Sequence, residues 1–215
     1  MKKYLFIALF LCSISPHVFA QFNFGIKLEY NKSNPNPNLS DWSTNNLDTE
    51  LDNILTDDNV GFGLGIIGSY KVSEKWAITT QPTLAFTNST LTYVFDNGDE
   101  EMANLESVNL QIPVQLEYHF QGIPLRPYLI GGGMYTYDFV DESDDRLLNL
   151  DRESTSIYAG VGIELRLNKF IIHPEFIVQK SVNNQLADTN SIYNEALSDL
   201  KIDYIALRFN FSGTY

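Results

Sequence analysis

The sequence predicts an all-β protein, an eight-stranded antiparallel up-and-down transmembrane β-barrel with four long extracellular loops. Three observations predict this fold. Apolar and polar residues alternate with a period of two along most of the chain, short and long connections alternate between these segments, and the chain begins with a secretion signal. Period-two alternation separates the two faces of a strand, whereas a helix would mix the two sets around its circumference.

The first twenty residues are typical of a secretory signal peptide. A basic start at Lys2 and Lys3 precedes an uncharged apolar run at residues 4–14 and a small-x-small pattern that ends at Ala20. The apolar run is too short to act as a membrane-spanning stop-transfer helix. We therefore divide the chain into a signal peptide, 1–20, and an outer-membrane β-barrel domain, 21–215.

Five strands alternate cleanly. Their apolar faces are the even residues of 22–30, 108–120 and 170–178 and the odd residues of 157–167 and 205–211. Three less regular strands are predicted at about 60–71, 76–87 and 125–139. The glycine run at 131–133 leaves open which face of the strand at 125–139 points inward.

The connections alternate in length. Short turns are predicted at Ser73–Lys75, Gln121–Pro124 and Asn168–Lys169, and the long connections span 31–59, 88–104, 138–153 and 181–201. Leu and Ile at helical spacing predict short helices at Asn46–Thr56 and Ser191–Leu200. An even strand number with short turns at one end and long loops at the other is typical of outer-membrane barrels, and closure leaves no unpaired edge in lipid. Both chain ends are then periplasmic.

A soluble lipocalin-like barrel or β-sandwich would also alternate, with its apolar face turned inward. Large unbroken apolar faces and charged opposite faces favour the membrane barrel. Aromatic residues near the strand ends fit interfacial girdles, namely Tyr70, Trp76, Tyr118, Phe120, Tyr135, Tyr137 and Phe139. We predict that paired charges fill the lumen, from Lys27, Glu29, Glu117, Glu164, Arg166, Glu175 and Arg208, with Arg208 beside Glu29 and Glu175.

Four strand motifs resemble the PorT-like outer-membrane β-barrel domain family, porin-like small barrels common in the Bacteroidota. The matching segments are Trp76–Leu84, Asn109–Val114, Pro127–Gly133 and Tyr158–Ile163. The first is similar to the family's aromatic-x-x-x-Q-P strand and the second to its I-P-hydrophobic strand. The resemblance implies an outer-membrane barrel of the cell envelope and brings no catalytic residues. It does not carry over the secretion and gliding role from which the family takes its name.

The chain is acidic, with 27 Asp and Glu against 14 Lys and Arg, which argues against nucleic acid as a partner. The four long connections hold 20 of the acidic residues and four of the basic ones. A hydrated surface is the simplest interpretation. The alternative is binding of Ca²⁺ or Mg²⁺, directly or as a bridge to anionic lipopolysaccharide. The candidate metal ligands are Asp96, Asp99, Glu100, Glu101, Asp141, Glu142, Asp144 and Asp145, although neither group has EF-hand spacing.

These features favour a structural, adhesion or partner-binding protein and not an enzyme. Two histidines, His119 and His173, follow the signal peptide, and we expect both to be hydrogen-bonding residues of the lumen. The sequence contains neither G-x-S-x-G nor H-E-x-x-H, and its one cysteine, Cys12, lies in the signal peptide. No catalytic residue and no cofactor is predicted. The alternatives are a lipid-modifying or other outer-membrane enzyme and a soluble periplasmic lipocalin-like binding barrel. The expected partners are outer-membrane lipid, lipopolysaccharide and an extracellular or envelope protein bound through the loops.

Overall fold

The strands close into an antiparallel ring with eight positions. We call each position a stave, because some positions are occupied by two shorter strands in succession. The computed structural model describes residues 21–40, 51–57, 60–123, 125–139, 148–187 and 192–213. Within these ranges the elements are β1 (Phe22–Leu39), β2 (Leu51–Asp57), β3 (Val60–Lys71), β4 (Trp76–Thr80), β5 (Thr83–Phe95), β6 (Glu100–His119), β7 (Pro127–Asp138), β8 (Glu153–Ile163), β9 (Leu165–Arg166), β10 (Phe170–Ser181), α1 (Ile192–Glu195) and β11 (Leu197–Gly213). Because β1 pairs with both β3 and β11, no stave is left at an open edge of the ring. The predicted eight-stranded barrel is confirmed.

Three of the staves are interrupted or extended. The strand predicted at 76–87 is split into β4 and β5 at Gln81-Pro82, because proline cannot donate to the backbone ladder. β9 continues β8 along β10, and β2 continues β3 along β5. We call the end with the short connections the turn end and the opposite end the loop end.

The register of the strands fixes their tilt. Glu29 has a register partner on each neighbouring strand, and each partner has one on the next strand. Through β3 and β5, this series of partners ends on β6 at Asn109, whereas through β11, β10, β8 and β7 it ends on β6 at His119. This is a stagger of ten residues, which requires strands inclined to the barrel axis. Eight tilted strands leave an interior that side chains can fill.

The two faces of the staves exchange polarity along the axis. Near the turn end, the outward residues of β1 are apolar and exposed, from Phe24 at 70% to Tyr30 at 52%, while its inward residues are polar. Beyond Tyr30 the outward residues become polar, starting with Lys32. At that level the inward face becomes apolar, with Leu91, Leu105 and other residues in a buried cluster. The outward apolar belt suits lipid, and the part of the barrel beyond it is built like a soluble domain.

The predicted long connections are therefore largely strand. β1 continues to Leu39, β5 to Phe95, and β6 begins at Glu100, so the loop bounds 31–59 and 88–104 were wrong. The bounds 138–153 and 181–201 are also shortened, by β8, β10 and β11. The physical reason is the exchange of polarity, because the alternation that marks a lipid-facing strand ends where the strand leaves the belt.

The two predicted loop helices are corrected as well. Leu51–Asp57 forms β2, which pairs with β5, whereas a helix was predicted at Asn46–Thr56; residues 46–50 lie outside the described residues. Of Ser191–Leu200, Ile192–Glu195 is helical and β11 begins at Leu197. Pairing with a neighbouring strand satisfies the backbone groups of these segments more fully than a short helix can. In the described part of the chain, no helix is long and apolar enough to cross a membrane.

The loop-end extension of β1 is protected by proline. β3 pairs with β1 up to Lys32, and beyond it β1 pairs with β11 alone among the described strands. The Ser40 N–H donates to the Ala196 carbonyl, so the even-numbered residues of this extension bond to β11. Pro35 and Pro37 occupy the alternate positions, where a missing N–H faces the unpaired side. Proline on an exposed strand edge prevents pairing with another chain.

The inward face of β7 is Tyr128, Ile130, Gly132 and Met134, which settles the strand whose orientation the sequence left open. β7 and β8 exchange tyrosines and glycines across their shared register. Tyr128 lies against Gly162, where a Cβ would be 2.2 Å from the tyrosine Cζ, and Tyr158 lies against Gly132, where the distance would be 2.9 Å. Each ring fills the space that the opposite glycine leaves empty.

Aromatic residues gather at the edge of the apolar belt near the turn end. Phe22 and Tyr70 have ring centroids 4.9 Å apart, and Trp76 and Tyr118 have centroids 4.8 Å apart. Phe120 continues the row against Tyr118, at 5.2 Å. On the other side of the belt, Tyr137 and Phe139 are paired at 5.6 Å. The predicted aromatic pairs are thus present at two levels, as interfacial girdles require.

Candidate functional site

A buried ion cluster crosses the lumen where β1 closes on β11. Glu29 lies opposite Arg208 in the strand register, and its Oε2 accepts from Arg208 Nε at 2.9 Å and from Lys27 Nζ at 2.6 Å. Asn31 Nδ2 donates to the other carboxylate oxygen at 3.3 Å. The side chains of the three charged residues are at most 3% exposed. One carboxylate thus anchors two cations away from water.

Glu175 flanks the other side of Arg208 in the register of β10. The Tyr128 hydroxyl donates to Glu175 Oε1 at 2.8 Å, and the Gln81 amide lies 3.5 Å from both carboxylate oxygens. The guanidinium of Arg208 lies 5.2 Å from the centre of the Tyr158 ring, a cation–π distance. The lumen therefore holds two carboxylates, Glu29 and Glu175, around the two cations.

The network continues toward β6. The Tyr158 hydroxyl donates to Gln115 Oε1 at 3.1 Å, and Gln115 Nε2 donates to Glu117 Oε1 at 2.8 Å. His119 Nε2 lies 3.0 Å from Glu117 Oε2. The free space on the turn-end side of this network is a cavity of about 40 Å³. A space of this size holds a few water molecules.

The turn end opens into a wider vestibule of about 540 Å³. Its charged lining residues are Lys71, Glu74, Arg126, Glu164 and Arg166, and Gln121, His119 and Ser73 add polar groups. Glu164 is 5% exposed, and its Oε1 accepts from Arg166 Nε and, at 3.3 Å, from Arg126 Nη1. This vestibule is therefore polar and rich in cations.

The loop end is closed by an apolar cap. Its buried residues are Leu91, Tyr93, Ala103, Leu105, Leu148, Ala196, Leu197, Leu200 and Ile202. They come from β5, β6 and β11, from the connection that precedes β8 and from the connection that follows β10. A cluster of this kind orders the connections in the way that a small hydrophobic core orders a domain.

Asn194 ties the connections of the cap together. Its Oδ1 accepts from Asn149 N at 3.0 Å, and its Nδ2 donates to the carbonyls of Asn149 at 2.8 Å and Ala187 at 3.0 Å. A β-bridge between Leu150 and Leu186 joins the same two segments. The cap is therefore held by directional bonds as well as by apolar contact.

The geometry agrees with the comparison with known families. Residues 4–183 match the family described as "Outer membrane protein beta-barrel domain". The chain belongs to this family. Among curated proteins, none matches the chain. The match shows the outer membrane beta-barrel family, and the narrower PorT-like group stays a prediction from the strand motifs.

Solved outer membrane proteins are similar to this family member. OprG from Pseudomonas aeruginosa is 16% identical with a TM-score of 0.52, and the alignment covers 90% of this chain and 95% of OprG. The E. coli outer membrane protein W is 13% identical, with a TM-score of 0.44 and coverage of 90% and 97%. Ail of Yersinia pestis is 14% identical, with a TM-score of 0.37 and coverage of 89% and 99%. At these identities the OprG likeness shows a common fold.

The predicted lumen charges of this outer membrane barrel fall into two groups. Lys27, Glu29, Glu117, Glu175 and Arg208 lie in the lumen, and Arg208 is registered against Glu29 and Glu175 as predicted. Glu164 and Arg166 lie at the turn-end vestibule, where the Arg166 side chain is 50% exposed. Glu164 is buried and also lines the lumen cavity, as predicted, whereas Arg166 lies at the mouth, because at the last residues of a strand the inward face opens to solvent.

The candidate metal ligands do not form one described cluster. Asp96, Asp99 and Glu100 are exposed at the hairpin between β5 and β6, whose tight turn places Gly98 at a φ of +86°. Glu101 Oε2 accepts from the Tyr193 hydroxyl at 2.9 Å, and burial together with this carboxylate raises the pKa of Tyr193. Asp141, Glu142, Asp144 and Asp145 lie outside the described residues. Within the described ranges, no group of three or more His, Cys, Asp or Glu is placed to hold a metal ion.

Both histidines face the inside of the barrel near the turn end. His119 contacts Glu117, and His173 Nε2 lies 3.3 Å from Ser212 Oγ. The carboxylate nearest in register to His173 is that of Glu164, which is bonded to two arginines. Ser212 also accepts from Asn23 Nδ2 at 3.0 Å. Their role as hydrogen-bonding residues agrees with the prediction.

Sequence reasoning missed the uncharged members of the network. Gln81, Gln115, Tyr128 and Tyr158 complete the coordination of the lumen carboxylates, yet none was singled out. Their position on the inward face was a usable signal for Gln81, Gln115 and Tyr158, and Gln115 is next in the alternation to the charged Glu117. For Tyr128, that signal was hidden by the glycine run that follows it.

Proposed function

We propose that this outer membrane barrel is a closed protein that presents a folded acidic platform to a binding partner outside the cell. In this proposal residues 1–20 are removed as a signal peptide, the turn end faces the periplasm and the loop end faces the medium. The protein then acts in adhesion, partner binding or envelope structure, and it is not an enzyme.

The apolar cap is the observation that carries the proposal. It joins the described loop-end segments 148–150, 185–187 and 192–197 in one arrangement, so binding would not need to order these segments first. Exposed acidic residues surround it, namely Asp96, Asp99, Glu100, Glu101, Glu106, Asp151, Glu153 and Glu195. The exposed cations nearby are Lys32, Arg152 and Lys180. A surface with this imbalance favours a basic protein surface, or a divalent cation that links it to lipopolysaccharide.

A binding experiment with lipopolysaccharide tests whether a divalent cation links the acidic surface to its partner. Purified lipopolysaccharide in the presence of Ca²⁺, and in the presence of EDTA, is tested against the detergent-solubilised barrel. A variant with Asp96→Asn, Asp99→Asn and Glu100→Gln is compared with Lys75→Gln and Lys169→Gln at the turn end. Loss of binding with EDTA and in the acidic variant would support cation bridging.

Photo-crosslinkers placed at the exposed, uncharged positions Asn97 and Asn104 in whole cells test whether the partner is a protein. A crosslinked protein that is lost at high salt and in the triple acidic variant would support a basic partner. If neither lipopolysaccharide nor any cell-surface protein depends on the acidic residues, the proposal is wrong.

We infer further that the strand motifs place the chain among PorT-like barrels of the Bacteroidota, as a member defined by its barrel alone. The absence of an enzymatic role is supported by the turn-end geometry, where Ser212 and His173 are in contact but Glu164 is engaged by Arg126 and Arg166. A seryl hydrolase would need that carboxylate to orient the histidine.

A further inference from the structure

We propose that the turn-end vestibule is a receptor for a carboxylate or phosphate group presented from the periplasm, with Arg126 and Arg166 as its paired binding residues. The vestibule lies at the opposite end of the barrel from the acidic platform. The two binding functions are therefore independent.

The two arginines are held in place by one buried carboxylate. Glu164 Oε1 accepts from both guanidinium groups, and the Glu164 side chain is 5% exposed. The Glu164 backbone N–H also donates to the Arg126 carbonyl at 3.2 Å. Glu164 therefore binds Arg126 through both its backbone and its side chain. It also holds the positive charges of Arg126 and Arg166 on one side of the vestibule mouth.

Most of the donors on these arginines remain available. A guanidinium carries five N–H donors in a planar fork. Arg166 uses Nε toward Glu164 and Arg126 uses Nη1, so both Nη groups of Arg166 and the Nε and Nη2 groups of Arg126 are left for a ligand. The side chains of Arg126 and Arg166 are 49% and 50% exposed. Planar forks of this type bind carboxylate and phosphate oxygens in pairs.

The charge balance favours an anion. With Lys71 included, the vestibule has three fixed cations against two carboxylates, Glu74 and Glu164. Glu74 accepts a hydrogen bond from Gln121 at 3.2 Å, and Glu164 is already shared by the two arginines. The two arginines therefore retain donors beyond those that bond to Glu164.

Backbone strain marks the same position. Arg126 has a φ of 41°, and it is the one described residue other than glycine with a positive φ. A non-glycine residue is strained in this region and is held there only where its surroundings require it. Here the bonds to Ile123 O and from Glu164 N hold it. A glycine would satisfy the turn without strain, so the arginine at this position calls for another reason.

The shape of the vestibule limits the ligand to a small group. About 540 Å³ is open at the mouth, while the lumen behind it narrows to about 40 Å³. A space of the first size is within the range of small-molecule sites. An anionic group can therefore enter and be held, and it cannot pass through. The site is a receptor and not the entrance of a channel.

Isothermal titration calorimetry on the intact barrel in a zwitterionic detergent tests the site. Inorganic phosphate and acetate are titrated separately at constant ionic strength, with chloride as the balancing anion. We expect saturable binding of at least one of them, weakened roughly tenfold in Arg126→Gln and in Arg166→Gln, since a hydrogen bond between charged groups has about that effect. Arg126→Lys and Arg166→Lys keep the charge and lose the fork, and they are expected to bind more weakly than the unmodified protein.

Lys169→Gln is the matched control. Lys169 is an exposed cation at the same end of the barrel, outside the vestibule lining. If Lys169→Gln weakens binding as much as Arg166→Gln, the anions are attracted by the whole rim and the proposed site is wrong. Absence of saturable binding in the unmodified protein also overturns it. Each variant is first checked for heat-modifiable migration, and the lysine variants provide the test if a glutamine variant does not fold.

The lipid headgroup and the soluble anion are distinguished in nanodiscs. Phosphate binding that is present in a detergent without phosphate and abolished in phosphatidylglycerol nanodiscs at the same ionic strength would assign the site to a lipid phosphate. Binding that is unchanged by phosphatidylglycerol would assign it to an anion from the periplasmic solution. Either result supports the receptor, provided that Arg126→Gln and Arg166→Gln weaken the interaction and Lys169→Gln does not.

Discussion

At the scale of single residues, the packing of the lumen depends on the exchange of two tyrosines with two glycines. Gly162→Ala would place a Cβ 2.2 Å from Tyr128 Cζ, so the ring must move away from its hydrogen bond to Glu175. We expect a loss of about 1–3 kcal/mol in the free energy of unfolding, as for other overpacked interiors. The loss is measured by unfolding the protein with urea in detergent, with heat-modifiable migration on a gel as the readout of the folded fraction.

Gly131→Ala is the control for this substitution. Gly131 faces outward in β7, and a Cβ there would meet nothing within 4 Å. Its unfolding midpoint should stay close to that of the unmodified protein. Equal losses for Gly131→Ala and Gly162→Ala would show that the cost comes from the strand backbone and not from the tyrosine contact.

The ion cluster gives a second prediction at this scale. Glu29→Gln leaves Lys27 and Arg208 buried without the carboxylate that binds both. Removal of one partner from a buried ion pair costs about 3–5 kcal/mol, because the remaining charge stays desolvated. Unfolding in urea should therefore occur at a much lower concentration for Glu29→Gln, while Glu106→Gln, at an exposed outward position of β6, should behave like the unmodified protein.

At the scale of elements, the loop-end cap and the membrane belt are separate layers on the same staves. Asn194 joins the cap segments through three hydrogen bonds and is 5% exposed. Asn194→Ala should lower the local opening free energy of the cap by about 1–3 kcal/mol, since it leaves buried backbone groups unpaired. Hydrogen exchange followed by mass spectrometry should then rise at residues 148–150 and 185–187 and stay constant in β4 and β10.

Asn36→Ala provides the comparison for the cap. The Asn36 amide is exposed and donates to the neighbouring carbonyl of Asn34. Exchange in the cap should be unaffected by this change. If Asn194→Ala also leaves exchange unchanged, apolar contact alone holds the cap and the asparagine bonds are dispensable.

At the scale of the whole molecule, the vestibule at the turn end leads into a lumen that is filled by the ion cluster, and the loop end carries the apolar cap. The ion cluster leaves about 40 Å³ of free space, and the apolar cap covers the loop end. Planar-bilayer recordings of the reconstituted protein should therefore show no stable conductance. Stable conductance of porin size would contradict the filled lumen. Glu29→Gln would then be tested for a larger conductance than that of the unmodified protein.

The orientation of the barrel in the membrane is a further prediction at this scale. Residues 21–215 contain no cysteine, so single cysteines report cleanly. Asn97→Cys, at the exposed hairpin of the loop end, should react with a membrane-impermeant maleimide on whole cells, and Lys169→Cys at the turn end should not. The reverse labelling would mean that the barrel is inserted with the opposite topology.

The sequence by itself determined the barrel, the lipid-facing residues and the register of Arg208 between Glu29 and Glu175. Alternation is a local property, because successive side chains of a strand point to opposite faces whatever lies around them. The charges could be paired from the sequence once the order of the strands was known, since an up-and-down barrel makes sequence neighbours into spatial neighbours.

Tertiary structure alone decided the inward face of β7, the apolar cap and the turn-end arginine pair. Glycine carries no polarity signal, so the inward face became clear only from the Tyr158 ring that packs on Gly132, while Gly131 faces outward. The cap arises where strands leave the lipid and reverse their polarity, which depends on the position of each residue along the barrel axis. Arg126 and Arg166 are 40 residues apart in the sequence, and they meet because β7 and β8 are neighbours and Glu164 binds both.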